Sequence, residues 1–176
     1  MSTSFRLEVL NGEHDRLAFT CGEEQLDRYL QLQVSQDIRR RIANCFVAID
    51  VATAKVAAYY TMSSASIPTH DLPVELTQRL PRYSTIPAVR IVRIGRLAVD
   101  MRFQGSGLGK ALLADAAIKA IDAAPAAFAL LVDAKNDQAV NFYKHHGFQQ
   151  LESFPKILFL PLATAEKILL NLKTIR

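Results

Sequence analysis

Apolar positions along this chain alternate between a period of two and a period near four, and the switches mark its elements. "FRLEVL" at residues 5–10 reads as a short first strand. Leu26, Leu30, Val34, Ile38 and Ile42 then fall four apart, the stripe of an amphipathic helix. Glu23 and Glu24 open that helix and Arg39, Arg40 and Arg41 close it, as its dipole favours. "CFVAIDVATAKVAAYYTMS" predicts two strands joined by a short turn. A loop carrying Pro68, Pro73, Pro81 and Pro87 surrounds a short helix, "PVELTQRL". "VRIVRIGRLAVD" is a long strand, followed by a glycine loop and the helix "KALLADAAIKAIDAA", which stops near Pro125.

The nearly all-apolar "AFALLVDA" predicts a strand buried on both faces. "DQAVNFYKHHGF" is a second helix, with Gly147 just past its end as a stop signal. "ILFLPL" and "ATAEKILLNLKTIR" complete the chain as a closing strand and a terminal helix. Strand–helix–strand–helix–strand late in the chain predicts an α/β (α+β) fold on a mixed sheet.

At 176 residues the chain is expected to form a single domain with a real core. The longest uncharged apolar stretch, "AAPAAFALLV", contains a proline and is far short of the roughly 20 residues of a membrane span. The start of the chain lacks a basic-then-apolar leader pattern, so a cytoplasmic protein is expected. Cys21 and Cys45 share no metal-ligand spacing and are expected to be free thiols. The net charge of +4 is modest, but six arginines (79, 82, 90, 93, 96 and 102) share one stretch with a single acid, Asp100. That clustering suits a polyanionic partner, or a solvated face.

"DMRFQGSGLGKALL" places Gly105, Gly107 and Gly109 at alternate positions before a helix. Unpaired N–H groups at a helix start bind anions, and glycines let the backbone approach them. The nucleoside-triphosphate loop fails here, because Gln104 stands where its first glycine belongs and Ala111 where Ser or Thr should follow. The dinucleotide pattern G-x-G-x-x-G fails as well. What remains is Q/R-x-x-G-x-G/A, met by Gln104, Gly107 and Gly109.

With "NDQAVNFYKHHGF", which carries Asn136, Ala139, Tyr143, Gly147 and Phe148, this loop resembles the GNAT acetyltransferases. The likeness is close over residues 92–148 and loose elsewhere. It implies a GNAT fold with a mixed, mostly antiparallel central sheet, flanking helices and a splayed strand pair holding the coenzyme. It implies acetyl-CoA as cosubstrate, held by Leu97, Ala98, Val99, Gln104, Gly105, Ser106, Gly107, Leu108, Gly109, Lys110 and Asn136; Asn136 reads equally well as the start of its helix, and the alternative for Lys110 is a solvated side chain. The backbone N–H of Leu97 or Val99 would face the developing oxyanion. By the same resemblance Tyr143 is the proton donor to the departing thiolate. His145 and His146 point about 100° apart on a helix, so they make no facing pair and no metal is expected.

"FTCGEEQLDRYL", "YYTMSSASI", "IPAVRIVRIGRLAVD" and "FYKHHGF" together resemble one branch, the acetyltransferase toxins of toxin–antitoxin modules. Its C-G-x-x-x-L-D opening is met by Cys21, Gly22, Leu26 and Asp27. The branch implies aminoacyl-tRNA as acceptor, blocked translation and a ribbon–helix–helix antitoxin through which alone operator DNA is touched. It leaves a homodimer open. An α-amine near pKa 8 is partly neutral in the cell whereas a lysine amine is not, so an aminoacyl ester suits a site with no strong carboxylate base. Arg82, Arg90, Arg93 and Arg96 are the candidate tRNA contacts. The alternatives are an acetyltransferase for a small amine or a protein N-terminus, and a non-catalytic module that binds acetyl-CoA or a partner.

Overall fold

The computed structural model of the chain describes residues 4–82 and 86–174; Tyr83, Ser84 and Thr85, inside the expected proline-bearing loop, lie outside the described residues. Seven strands form one sheet in the order β1-β2-β3-β4-β5-β7-β6. The fold divides into two compact units, the described parts of Met1–Ser63 with Ile94–Asp115 and of Ser64–Arg93 with Ala116–Arg176.

In the first unit β1 (Phe5–Val9) runs antiparallel to β2 (Asn44–Asp50), with Phe5 opposite Asp50 and Val9 opposite Phe46. β2 pairs antiparallel with β3 (Val56–Pro68) across a register shift at Ala48/Ile49. The turn between them is closed by Asp50, whose Oδ2 accepts the N–H and the hydroxyl of Thr53. The expected helix is α1 (Glu24–Arg28), a π-helical turn (Tyr29–Gln33) and α2 (Val34–Arg39). An ideal helix turns 100° per residue, so residues four apart drift by about 40° per step. The wider π turn takes up that drift. Leu30 and Val34 are therefore fully buried, and Leu26 and Ile38 pack against the same core. Ile42 lies beyond the helix end and is 56% exposed. Leu30 O, inside the π turn, accepts from the Arg16 guanidinium, which also donates to Ser35 Oγ. The core of this unit joins Phe19, Tyr29, Leu30 and Val34 to Val47, Ile49, Tyr59 and Ala98.

The second unit contains α3 (Val74–Thr77), the first half of β4 (Ala88–Val99), the later turns of α4 (Leu108–Asp122), β5 (Ala129–Asp133), α5 (Asp137–His145), β6 (Gln149–Gln150), β7 (Ile157–Pro161) and α6 (Leu162–Thr174). β5 and β6 both run antiparallel to β7. The Phe128 N–H donates to Arg90 O, and three residues further along β4 Arg93 meets Asp133, so β4 and β5 run in the same direction. β5 is flanked by β4 and β7, and Ala129, Leu130 and Val132 are fully buried. Leu72, Leu76, Val89, Leu151 and Phe159 gather round Ala129 as this unit's core. The mixed, mostly antiparallel sheet flanked by helices is the architecture expected. Cys45 is buried and Cys21 partly exposed; neither is in a disulfide, and burial pushes the Cys45 thiol up to about 12.

Candidate active site

β4 ends at Val99, and the chain turns at Asp100 into the glycine loop. Asp100 has no exposed surface, and its carboxylate is saturated with donors. Arg102 reaches Oδ1 through Nε at 2.8 Å and Oδ2 through Nη2 at 2.9 Å. The Arg102 N–H adds 3.0 Å to Oδ1 and the Thr20 N–H 3.1 Å to Oδ2. Burial pushes the Asp100 carboxyl up, but the Arg102 side chain, the two N–H groups and the Arg102 charge outweigh it and hold the group below its ordinary 3.8. So engaged, Asp100 is no general base.

A carboxyl lowered on folding stabilises the protein above its ordinary pKa, and that contribution disappears as pH falls through the lowered value. We therefore expect Asp100→Asn to cost about 2–3 kcal/mol at pH 7. The gap from wild type should shrink once pH drops below 3.8. Urea unfolding at pH 7 and pH 3 checks this; a gap that stays constant would contradict it.

In the loop Gly105 and Gly107 take φ of 78° and 83°, a region glycine enters without penalty. No described atom lies within 4 Å of where a Cβ would sit on either. Packing therefore does not demand these glycines; backbone shape and the open space above them do. The Ala111 N–H donates to Gly107 O at 3.1 Å, which leaves the N–H groups of Leu108, Gly109 and Lys110 in the opening turn of α4. That turn carries no acid and an exposed Lys110, the polarity an anion wants. Ser106 Oγ is turned back onto Phe103 O at 2.5 Å. Leu97 and Val99 are half-buried and Ala98 buried.

The Gln104 side chain is engaged within the protein. Its Nε2 donates to Val99 O at 3.1 Å and to Cys21 O at 3.0 Å, so both amide hydrogens tie the loop down. Asn136 likewise serves its own helix: Oδ1 accepts the Ala139 N–H at 2.9 Å as the cap of α5.

On α5 the Tyr143 ring is buried against Phe142 and Phe148. Four described tyrosines are buried, and three have hydroxyl partners: Tyr29 donates to Asp37, Tyr59 to Leu26 O and Tyr60 to Asp115. Tyr143 makes no hydrogen bond through its hydroxyl to any described residue. Desolvation pushes this phenol up to about 12, so it stays protonated across the physiological range. His145 and His146 sit at the end of α5 with ring centroids 5.1 Å apart. Among the described residues no cluster of His, Cys, Asp and Glu could hold a metal ion.

The candidate tRNA contacts do not share one environment. Arg82 and Arg90 are exposed. Arg93 is also exposed, and meets Asp133 at 3.4 Å. Arg96, in the first unit, is half-buried with its guanidinium 3.5 Å over the Tyr29 ring, so it braces β4 against the π turn.

A model of the acetyltransferase (GNAT) domain matches residues 82–156, from Arg82 through β4, the glycine loop and α5. The chain is 32% identical over 165 residues to the probable toxin TacT of Sinorhizobium fredii (strain NBRC 101917 / NGR234), covering 89% of this chain and 90% of that one. The chain belongs to the GNAT acetyltransferase family. This acetyltransferase is also 31% identical over 157 residues to the tRNA-acetylating toxin of Mycobacterium tuberculosis (strain ATCC 25618 / H37Rv), covering 88% and 90%. AtaT complexed with acetyl-methionyl-tRNAfMet has the same fold at TM-score 0.80 and 27% identity, over 94% of this acetyltransferase and 99% of AtaT. Two further structures each show TM-score 0.76 and 26% identity. One is a tyrosine-to-phenylalanine mutant of AtaT bound to the C-terminus of the antitoxin AtaR and acetyl-CoA, over 94% and 98%; the other is the KacTA–DNA complex, over 96% and 99%. Among the described residues of this acetyltransferase no helix is long and apolar enough to cross a membrane.

Proposed function

We propose that the chain works as a single acetyltransferase domain that moves acetyl from acetyl-CoA to the α-amino group of aminoacyl-tRNA, thereby blocking translation in the cytoplasm. The observation that carries this reading is the likeness, along nearly the whole chain, to AtaT solved with acetyl-methionyl-tRNAfMet. The tRNA-acetylating relative from Mycobacterium tuberculosis supports the same acceptor.

Bound acetyl-CoA supplies the acetyl group as an activated thioester. The N–H groups of Gly105 to Lys110, at the positive end of α4, suit its pyrophosphate, and the space above Gly105 and Gly107 fits such a group. The backbone N–H of Leu97 or Val99 polarises the acetyl carbonyl as negative charge develops on its oxygen. In this reading the Tyr143 hydroxyl, which has no hydrogen-bond partner among the described residues, is the donor to the thioester sulfur. As the new N–C bond forms and the C–S bond breaks, it lends its proton to the thiolate and takes back the one the amine sheds. Proton transfer from a phenol near 12 to a thiolate is uphill, so Tyr143 acts mainly as a hydrogen-bond donor until the amine proton arrives. No carboxylate base is needed, because the α-amine of an aminoacyl ester is already partly neutral.

The cognate antitoxin in this reading is a ribbon–helix–helix DNA-binding protein whose flexible tail folds over the toxin, and operator DNA is reached only through it. AtaT solved with the C-terminus of the antitoxin AtaR supports an antitoxin tail as the partner, and the KacTA–DNA complex supports contact with DNA in a larger assembly.

Labelled acetyl-CoA, offered to charged tRNA, uncharged tRNA, free amino acids and a peptide, tests the acceptor. Label is expected on charged tRNA only. Label on the peptide or on free amines would keep the family and replace the acceptor. The double variant Arg82→Glu, Arg90→Glu should raise KM for charged tRNA about tenfold or more at low salt and leave KM for acetyl-CoA unchanged. An unchanged KM for tRNA would remove these arginines from the RNA face.

A further inference from the structure

We propose that segment 20–27 is a positioning brace for the coenzyme loop, acting through Asp100 and Gln104. The inference rests on the reading of the glycine loop as the pyrophosphate site and extends it to residues far away in sequence, outside the loop.

The loop leaves β4 through Asp100 and Gln104, and both side chains grip the same short piece of backbone. Asp100 Oδ2 accepts the Thr20 N–H, and the Met101 N–H donates to Thr20 O at 2.9 Å. Gln104 spans from Val99 O to Cys21 O with its two amide hydrogens. The gripped piece is in turn fixed from its other side by Asp27. Asp27 Oδ1 accepts the Cys21 N–H at 2.8 Å, and Oδ2 accepts the Thr20 hydroxyl at 3.1 Å. The chain thus runs from Asp27 on α1, through Thr20 and Cys21, to Asp100 and Gln104, and ends at Gly105.

Chemically the brace is a sequence of donors matched to acceptors. Gln104 contributes N–H groups to two carbonyls, so a side chain with donors can serve there and an isosteric one without donors cannot. The Asp27 carboxylate holds the Cys21 N–H and with it the Thr20–Cys21 peptide plane, whose carbonyl accepts the Met101 N–H; the next carbonyl along, that of Cys21, is the one Gln104 needs. The Cys-Gly opening and the Gln-x-x-Gly loop are therefore two halves of one device. Its effect on the reaction falls on binding of the pyrophosphate, through the aim of the loop's N–H groups.

The test compares the wild-type protein with Gln104→Met, Gln104→Arg and Asp27→Ala, each shown folded by its melting temperature. Calorimetry measures acetyl-CoA binding. Transfer kinetics to charged tRNA are run with acetyl-CoA and with S-acetyl-pantetheine, a thioester without the pyrophosphate. Gln104→Met and Asp27→Ala should each bind acetyl-CoA roughly tenfold more weakly or worse, whereas Gln104→Arg keeps most of the affinity. The kcat/KM of Asp27→Ala with S-acetyl-pantetheine should match wild type. Undiminished acetyl-CoA affinity in Gln104→Met, or an equal loss with both thioesters, would overturn the brace. A wild-type protein that binds no acetyl-CoA would overturn the reading of the loop itself, and the brace with it.

Discussion

Replacing Tyr143 by phenylalanine should lower kcat for acetyl transfer by about 10²–10³-fold, within the span that a positioned proton donor contributes. Acetyl-CoA affinity and folding stability should hardly change. The phenol ring is buried and its hydroxyl has no hydrogen-bond partner among the described residues, so phenylalanine fills the same space and strands no other group. The contrast is Tyr60→Phe, which takes a 2.7 Å donor away from Asp115 and should cost about 1.5–3 kcal/mol of stability. Because burial pushes the Tyr143 phenol up to about 12, its ionisation lies far above the working range. The pH–rate profile should therefore rise through the pKa of the amine and show no descending limb below about pH 10. Single-turnover rates with charged tRNA from pH 6 to 10, for wild type and variant, decide the matter. A variant that retains wild-type kcat would leave Tyr143 a core residue and nothing more.

What the sequence made legible, and what it concealed, follows the distance over which residues interact. The long strand β4, the glycine loop and the helix behind it are local patterns of alternation, backbone permissiveness and apolar spacing, and they lie where those patterns put them. The place of Tyr143, on a helix one strand after the loop, was legible because its motif is compact. The period of four in the first helix holds for residues 26, 30, 34 and 38 and fails at Ile42, and the π turn that keeps those four on one face leaves no separate mark in the sequence.

Other roles depend on partners that no local spacing encodes. Gln104 reads as the head of a phosphate loop, yet its hydrogens go to a carbonyl 83 residues away and to the strand behind it. Asn136 reads equally well as a coenzyme ligand or a helix start, and its oxygen caps the helix. Arg96 reads as one of a basic band, and the stacked Tyr29 ring gives it structural work that composition alone cannot separate from RNA binding. β6 is two residues of glutamine with no apolar alternation, so only its pairing with β7 makes it a strand. The one available hint of the Asp100 clasp was its solitude, a lone acid among six arginines at the mouth of the loop.

Gly107→Val should separate ligand binding from stability more sharply than any other single change in the loop. The residue holds φ at 83°, where a β-branched side chain is a genuine outlier, so stability should fall by about 1–2 kcal/mol. No described atom lies within 4 Å of the new Cβ, so no packing clash adds to that strain. If the loop is the pyrophosphate site, the side chain enters the space that the anion takes beside the opening N–H groups of α4. Acetyl-CoA affinity should accordingly drop by about 100-fold or more, equivalent to about 2.7 kcal/mol of binding and larger than the loss in folding. Gly95→Ala is the reverse case: its Cβ would press on Thr61 Oγ1 at 3.1 Å, so its damage is to packing within β3 and β4. Calorimetric titration beside urea unfolding measures both quantities on the same preparations. If Gly107→Val lost stability but still bound acetyl-CoA like wild type, the loop would be a tight turn alone and the anion site would have to be sought elsewhere.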